Sequence, residues 1–373
     1  MDIILTDKRY NRGLTSKGNL ARINKLFNET AQNRPIVYGS IGGSITEGAT
    51  ASPIEKCYAA RFAKWLDKNS ASGCKFVNAG IGASDSMFGT FRAKKDLLSH
   101  EPDIITIEYA VNDSGNSEIE LTYESLIRQC LSQKNNPAVI LIFTMNKNGT
   151  NKQVEHIKVG KHYDLPMLSY RDALYPDIES GQLKWEDTSP DAVHPNNTGH
   201  KFMAEMLQRL VAEAIKECPD NLNNQLPQHL NSESKKFVGG NVVDAELLKV
   251  ISNQGWEKGH HKGGYLGFQS NTPGAEIVFE FICRTGYIGY QKYAGDFGRV
   301  EIILDDNKPV ILEGFFEKPA IQAWAGGHTV FEKIVDESLL ETHKLTIRLL
   351  HENHSESNGY KFDIGYLLLS NGA

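Results

Sequence analysis

The segment Ile41-Gly-Gly-Ser-Ile-Thr-Glu-Gly48 follows the apolar run Ile36-Val-Tyr38 and sets Ser44 in a tight, glycine-bracketed turn at the end of a predicted strand. Much later the chain carries Asp191-Ala-Val-His194. A serine hydroxyl is a weak nucleophile at neutral pH unless a base takes its proton as it attacks. An imidazole titrates near working pH, so His194 suits that task. Asp191, three residues earlier, suits holding its other nitrogen in one tautomer. Serines among glycines also serve as ordinary turn residues, so the two segments carry weight only together.

Between them, strand and helix patterns alternate. Tyr58, Phe62, Trp65 and Leu66 recur at the spacing of one buried helical face. A strand at Phe76-Val77, a helix over 87–99, a strand over Asp103–Tyr109, a helix around Glu124–Ser132 and a strand over Ala138–Phe143 follow. Pro166-Met-Leu168 reads as a fifth strand, and Phe202, Met203, Met206, Leu207, Leu210 and Val211 mark a closing amphipathic helix behind the capping residues Asn196-Asn-Thr-Gly199. Such alternation predicts an α/β domain with a mostly parallel sheet covered on both faces. Its ligand site belongs at the carboxyl ends of the strands. Ser44, Gly82, Asn112 and the Asp191 loop all follow predicted strands.

Beyond a stretch rich in Asn, Gln, Pro and Ser the period changes to two. Glu276–Ile282, Arg299–Leu304, Lys344–Leu349 and Lys361–Tyr366 alternate between apolar and polar residues, separated by turns such as Asp305-Asp-Asn-Lys308. The expected organisation is an α/β domain over 1–220, a linker over 221–236 and an antiparallel β-sandwich over 237–373.

Composition narrows the function classes. A net charge of −6 supplies no basic surface for a nucleic acid. The opening Met1-Asp-Ile-Ile-Leu-Thr-Asp-Lys8 is too weakly apolar for a secretory core, and no segment has the length of a membrane span, so the expectation is a cytoplasmic protein without a membrane partner. The five cysteines, Cys57, Cys74, Cys130, Cys218 and Cys283, are odd in number and scattered, which predicts reduced thiols. His351-Glu-Asn-His354 is one residue short of a zinc-peptidase spacing, and His260-His261 has no nearby acidic or cysteine partner. Thr46 stands where a Gly-x-Ser-x-Gly elbow needs its last glycine. Gly39–Ser44 lacks the lysine of a phosphate loop, and Gly80–Asp85 lacks the third glycine of a dinucleotide fingerprint.

Attack by Ser44 on a carbonyl would create an oxyanion, which needs preorganised donors. Candidates are the N–H of Ser44, a backbone N–H within Asn78-Ala-Gly-Ile-Gly-Ala83, and the side chain of Asn112 in Ala110-Val-Asn-Asp113. Asn112-Asp113 also reads as a helix cap, and Gly80 and Gly82 as turn glycines.

Together, Gly42-Gly-Ser44-Ile-Thr-x-Gly48, Asn78-Ala-Gly-Ile-Gly82, Ala110-x-Asn112-Asp and Asp191-x-x-His194 resemble the four blocks of the SGNH, or GDSL, hydrolase superfamily across roughly residues 30–215. The resemblance implies a three-layer, flavodoxin-like domain with Ser44 as nucleophile, His194 as base and Asp191 as its partner. It assigns the oxyanion to Ser44, Gly82 and Asn112, with Ala83 an alternative to Gly82. Gly43 departs from the family's Gly-Asp-Ser, and Ala110 from its Gly-x-Asn-Asp. The second half, with Gly255-Trp-Glu-Lys258 and Ala294-Gly-Asp-Phe-Gly-Arg-Val-Glu301, resembles the jelly-roll domains that accompany some carbohydrate esterases. That implies an acylated carbohydrate substrate, with Trp256, Tyr290 and Trp324 as candidate contacts, and no cofactor or metal. The expected activity is a serine esterase removing acetyl or another short acyl group. A lipase, lysophospholipase or thioesterase on the same triad and an inactive carbohydrate-binding protein are the alternatives, and a homo-oligomer is compatible with each.

Overall fold

Four strands buried almost throughout form the centre of the first unit, as expected of strands covered on both faces, and a fifth, half-exposed strand flanks them. The computed structural model describes residues 3–113, 118–217, 225–316 and 327–372. The chain divides into two units, Met1–Ser234 and Lys235–Ala373.

The first unit contains β1 (Leu14–Ser16), β2 (Ile36–Gly42), β3 (Cys74–Gly80), β4 (Ile104–Glu108), β5 (Ala138–Phe143) and β6 (Met167–Ser169). They lie in the order β1-β6-β5-β4-β2-β3. The strands β2 to β6 run parallel, and β1 closes the edge antiparallel to β6. The parallel strands therefore follow the flavodoxin-like order, with the topological switch between β2 and β4. β1 was not expected: three residues without alternation give no strand signal.

Alternation within the strands supplies a core to each face. Ile36, Tyr38, Ile104 and Ile140 join one cluster with Tyr58, Phe62 and Leu66 of the helix Tyr58–Asn69 and with Phe202, Leu207 and Leu210 of the helix Asn197–Lys216. Ile41, Ile105, Ile107, Val139 and Leu141 join the other with Tyr123, Leu126 and Ile127 of the helix Ile119–Leu131. Asn196 caps the closing helix by accepting the N–H groups of Thr198 and Gly199 at 2.9 and 3.0 Å. Among the described residues, no helix is long and apolar enough to cross a membrane. Cys57, Cys74, Cys130 and Cys283 are free thiols, and Cys218 lies outside the described residues.

The second unit is an antiparallel β-sandwich built from β7 (Asn241–Val243), β8 (Lys249–Gln254), β9 (Glu257–His260), β10 (Leu266–Ser270), β11 (Glu276–Lys292), β12 (Gly298–Leu304), β13 (Val310–Glu313), β14 (His328–Asn353) and β15 (Phe362–Ser370). Two long strands organise it. β11 pairs with β14 along its length, while its other edge serves β8 at the start and β15 at the end. Bulges at Cys283/Thr285 interrupt the ladder between those halves.

The residues after the closing helix are tied to the first unit by a buried carboxylate. Glu124, 1% exposed, accepts the Tyr163 hydroxyl at 2.7 Å and the N–H groups of Leu230 and Asn231 at 2.6 and 3.0 Å. Burial pushes its pKa up, but these donors outweigh it and hold it below the ordinary glutamate value. Its stabilisation is thus present above the ordinary value and lost as pH falls through the lowered one. Glu124→Ala should cost about 3 kcal/mol in urea unfolding at pH 7, because it strands three donors. A cost below about 1 kcal/mol would mean the donors find water instead.

Candidate active site

Ser44 opens a four-residue helix, Ser44–Glu47, immediately beyond β2. The turn is possible because three glycines leave room for close contacts or a positive φ. A Cβ on Gly80 would lie 2.2 Å from the Glu47 nitrogen, and one on Gly42 would lie 2.2 Å from the Thr46 hydroxyl. Gly48 ends the helix at φ 109°, which glycine alone adopts readily. As the first residue of a helix, Ser44 presents an N–H without an intrahelical acceptor.

The Asp191–His194 loop reaches the serine. The Ser44 Oγ stands 2.8 Å from His194 Nε2, and His194 Nδ1 stands 2.8 Å from Asp191 Oδ2. The second Asp191 oxygen accepts the backbone N–H groups of Val193 and His194, both at 2.7 Å. Burial raises the Asp191 pKa, but those two N–H groups and the imidazole outweigh it, and the carboxyl stays below its ordinary range. The three residues form a continuous relay of hydroxyl, imidazole and carboxylate.

Gly82 and Asn112 reach the same place. A Cβ built on Gly82 would be 3.8 Å from the Ser44 Cβ and 2.8 Å from Glu47 Oε2. Ala83 holds φ 53°, a left-handed conformation costly for a residue with a side chain. The Asn112 amide lies against Gly43, where a Cβ would come within 2.5 Å of its Oδ1. Oδ1 is buried and has no hydrogen-bond partner in the protein. Asp113, beside it, is not the cap of its own segment. Its carboxylate accepts the Ser86 N–H at 2.8 Å and meets His156 Nε2 at 2.8 Å, tying the Asn112 turn to two helices.

Several supporting residues carry no motif. Ser189 donates to the carbonyls of Asp191 and His194 at 2.9 and 2.6 Å, and the Trp185 indole donates to the Asp191 carbonyl at 2.5 Å. The loop after Ser44 is laced to the loop after His194. Thr50 donates to the Pro195 carbonyl at 2.6 Å, and Asn197 both accepts the Ser52 N–H at 3.0 Å and donates to the Ser52 carbonyl at 2.8 Å. His200 accepts the Tyr58 N–H on Nδ1 at 3.3 Å, which leaves Nε2–H to donate to the Ala49 carbonyl at 3.2 Å. Only the capping pattern around Asn196 hinted at this lacing in the sequence.

Of the aromatic residues considered as sugar contacts, Trp256 and Tyr290 are 5% and 3% exposed and belong to the core of the sandwich. Tyr290 stacks on Phe362 with ring centroids 5.4 Å apart. Both are largely buried, and Trp324 lies outside the described residues.

Residues 40–202 match the model of the GDSL-like Lipase/Acylhydrolase family. Both units together are similar to a two-domain esterase (CEX) active on acetylated mannans. Its crystal structure with mannopentaose aligns over 98% of each chain at 27% identity and a TM-score of 0.85. A second crystal structure of a two-domain esterase (CEX) active on acetylated mannans aligns over 98% of this chain and 99% of that one, at 26% identity and a TM-score of 0.86. No curated protein matches the chain in sequence. Residues 40–202 of the first unit are thus similar to GDSL-like lipases and acylhydrolases, and the chain is a carboxylic ester hydrolase.

The lacing should make the site sensitive to acid through His200. Burial pushes its pKa down to about 4, so the folded protein keeps this imidazole neutral where the unfolded chain protonates it. Its contribution to stability is complete above about pH 6.5 and falls away as the pH drops towards 4, a swing on the order of 3 kcal/mol. His200→Gln should flatten the melting temperature between those limits. An unchanged slope would show that other groups dominate acid unfolding.

Proposed function

We propose that this ester hydrolase removes acetyl groups from a carbohydrate, with an acetylated mannan as the first candidate, through an acyl-enzyme on Ser44. The relay from Ser44 through His194 to Asp191, with both contacts at 2.8 Å, carries the reading. It supplies a nucleophile, a base and the group that orients the base. The likeness to an esterase active on acetylated mannans supports the substrate class.

In the first half-reaction the Ser44 oxygen bonds to the ester carbonyl carbon while His194 Nε2 takes the hydroxyl proton. The carbonyl electron pair moves onto oxygen. Donors to that oxyanion are the Ser44 N–H, the Asn112 side-chain amide and a backbone N–H of the Gly82-Ala83 turn. Asn112 is favoured because its amide lies against Gly43, one residue from Ser44, and Ala83 because its strained conformation turns the backbone beside Gly82. Collapse of the intermediate breaks the bond to the sugar oxygen, which leaves as a hydroxyl with the proton from His194. Water then attacks the acyl-enzyme, again losing its proton to His194, and acetate departs as Ser44 regains its hydrogen. Asp191 stays ionised throughout and steadies the imidazolium formed in each half.

On p-nitrophenyl acetate, Ser44→Ala and His194→Ala should each lose about 10⁴-fold or more in kcat with unchanged melting temperature. Asp191→Asn should lose less than either, since it leaves the nucleophile and base in place. A folded Ser44→Ala enzyme of near wild-type activity would refute the assignment. For the substrate, acetate release would be compared across acetylated mannan, xylan, pectin and chitooligosaccharides. Mannan should rank first, and rates rising with acyl chain length from acetyl to decanoyl would point to a lipid ester instead.

A further inference from the structure

We infer that Arg92 is a positioning residue that sets the geometry of the oxyanion donors; the inference rests on the serine mechanism proposed above. Arg92 lies on the helix Ser86–Asp96, just after the Gly82-Ala83 turn, and its residue exposure is 0%. Burying a guanidinium is expensive unless its donors are matched. Here four of the five N–H donors are matched, three at the ends of three strands and one on the helix itself. Nη1 donates to the Ala79 carbonyl at 2.6 Å and to Asp96 Oδ2 at 3.2 Å, and Nη2 donates to the Gly42 carbonyl at 3.1 Å and the Tyr109 hydroxyl at 2.9 Å.

Three of those four acceptors, Gly42, Ala79 and Tyr109, stand near a proposed oxyanion donor. Gly42 ends β2 two residues before Ser44, Ala79 is the penultimate residue of β3 before Gly82-Ala83, and Tyr109 follows β4 three residues before Asn112. The ladders joining these strands stop at this level, with Gly42 opposite Gly80 on one side and Glu108 on the other. Beyond it the Ile81 N–H reaches the same Gly42 carbonyl at 3.1 Å, while the Asn112 N–H bonds within its own turn to the Tyr109 carbonyl at 2.9 Å. One rigid planar cation therefore spans the roots of all three donor-bearing turns, where the sheet can no longer hold them in register. The helix is notched to allow it: a Cβ on Gly89, three residues before Arg92, would lie 2.4 Å from the Tyr109 hydroxyl oxygen.

Three variants separate positioning from mere stability. Arg92→Met keeps the buried stem without donors, Arg92→Lys keeps a charge that cannot span three acceptors, and Tyr109→Phe removes one bond. Each would be assayed for kcat and KM on p-nitrophenyl acetate, for the titre of Ser44 reacting with a fluorophosphonate, and for the inhibition constant of phenylboronic acid. That inhibitor bonds boron to the Ser44 oxygen as a tetrahedral mimic of the transition state. A shift of about 1 Å in the donors costs about 100-fold, so Arg92→Met should lose about that in kcat with KM within about threefold. Its boronate inhibition constant should rise by a comparable factor while the Ser44 titre stays full. Arg92→Lys should recover about tenfold of the loss, and Tyr109→Phe should lose about fivefold in kcat. If Arg92→Met does not fold, the other two variants decide. Unchanged kcat and inhibition constant in folded variants would overturn the inference, as would activity lost only in proportion to Ser44 titre. A wild-type enzyme neither labelled at Ser44 nor inhibited by the boronate would sink the serine mechanism, and this inference with it.

Discussion

A parallel sheet buried on both faces confines polar chemistry to its ends, and the rest of the first unit follows from that constraint. β2, β4 and β5 are apolar along nearly their whole length, so few ionisable groups fit alongside them. At the carboxyl ends the chain must turn outward, and the switch between β2 and β4 makes the turns diverge and leave a crevice. Ser44 leaves β2 on one wall of that crevice and Asn112 leaves β4 on the other. The third contributor, Gly82-Ala83, leaves β3, which flanks β2. His194 and Asp191 come from no strand of the sheet, and the bonds of Ala49, Thr50 and Ser52 to the segment Pro195–His200 hold them at Ser44.

Polar groups that do enter this interior are paired or neutral. Burial pushes Glu108 to a pKa of about 7, opposed by the hydroxyl of Thr144, which it meets at 2.5 Å. Asp85 is likewise pushed to about 7, by burial first and by the nearby Asp113 second, while it caps the helix Ser86–Asp96 through the Phe88 N–H. Carboxyls of this kind shed part of the cost of burial by holding a proton near neutrality. Arg92 has no such escape, because a guanidinium stays charged, and the matching of four of its five N–H donors follows from that. A permanent cation can hold strand ends together at any working pH, which a histidine or a carboxyl could not.

The parts of this arrangement readable from sequence are those that depend on short spacing. Ser44 among glycines, Asp191 three before His194, and the apolar runs of β4 and β5 carry their own signal, because local backbone geometry dictates them. The bonds that join distant segments carry none. Arg92 sits in a helix that also bears Lys94 and Lys95 and reads as one more basic residue on a solvated face. Glu124 reads the same way on its helix, yet both are buried. Trp256 and Tyr290 failed in the opposite direction. An aromatic residue in a β-rich segment has equal hydrophobic value as a sugar platform or as core, and only the strand's register decides which face it takes. β1 left no trace because three residues are too few for a period.

Gly43 illustrates how a departure from a motif can be a physical requirement of the chain that carries it. The resembling family has aspartate before its serine, and a comparison of letters alone would count the change as a weakness. In this structure the space a Cβ would take at position 43 is occupied by the Asn112 amide, 2.5 Å away. A side chain there would push that amide off the wall of the crevice or be pushed away itself. Glycine instead lets the amide lie one residue from Ser44 with its oxygen buried against the backbone. The change therefore trades a side chain that supplies no catalytic group for a closer approach between the proposed nucleophile and a proposed oxyanion donor.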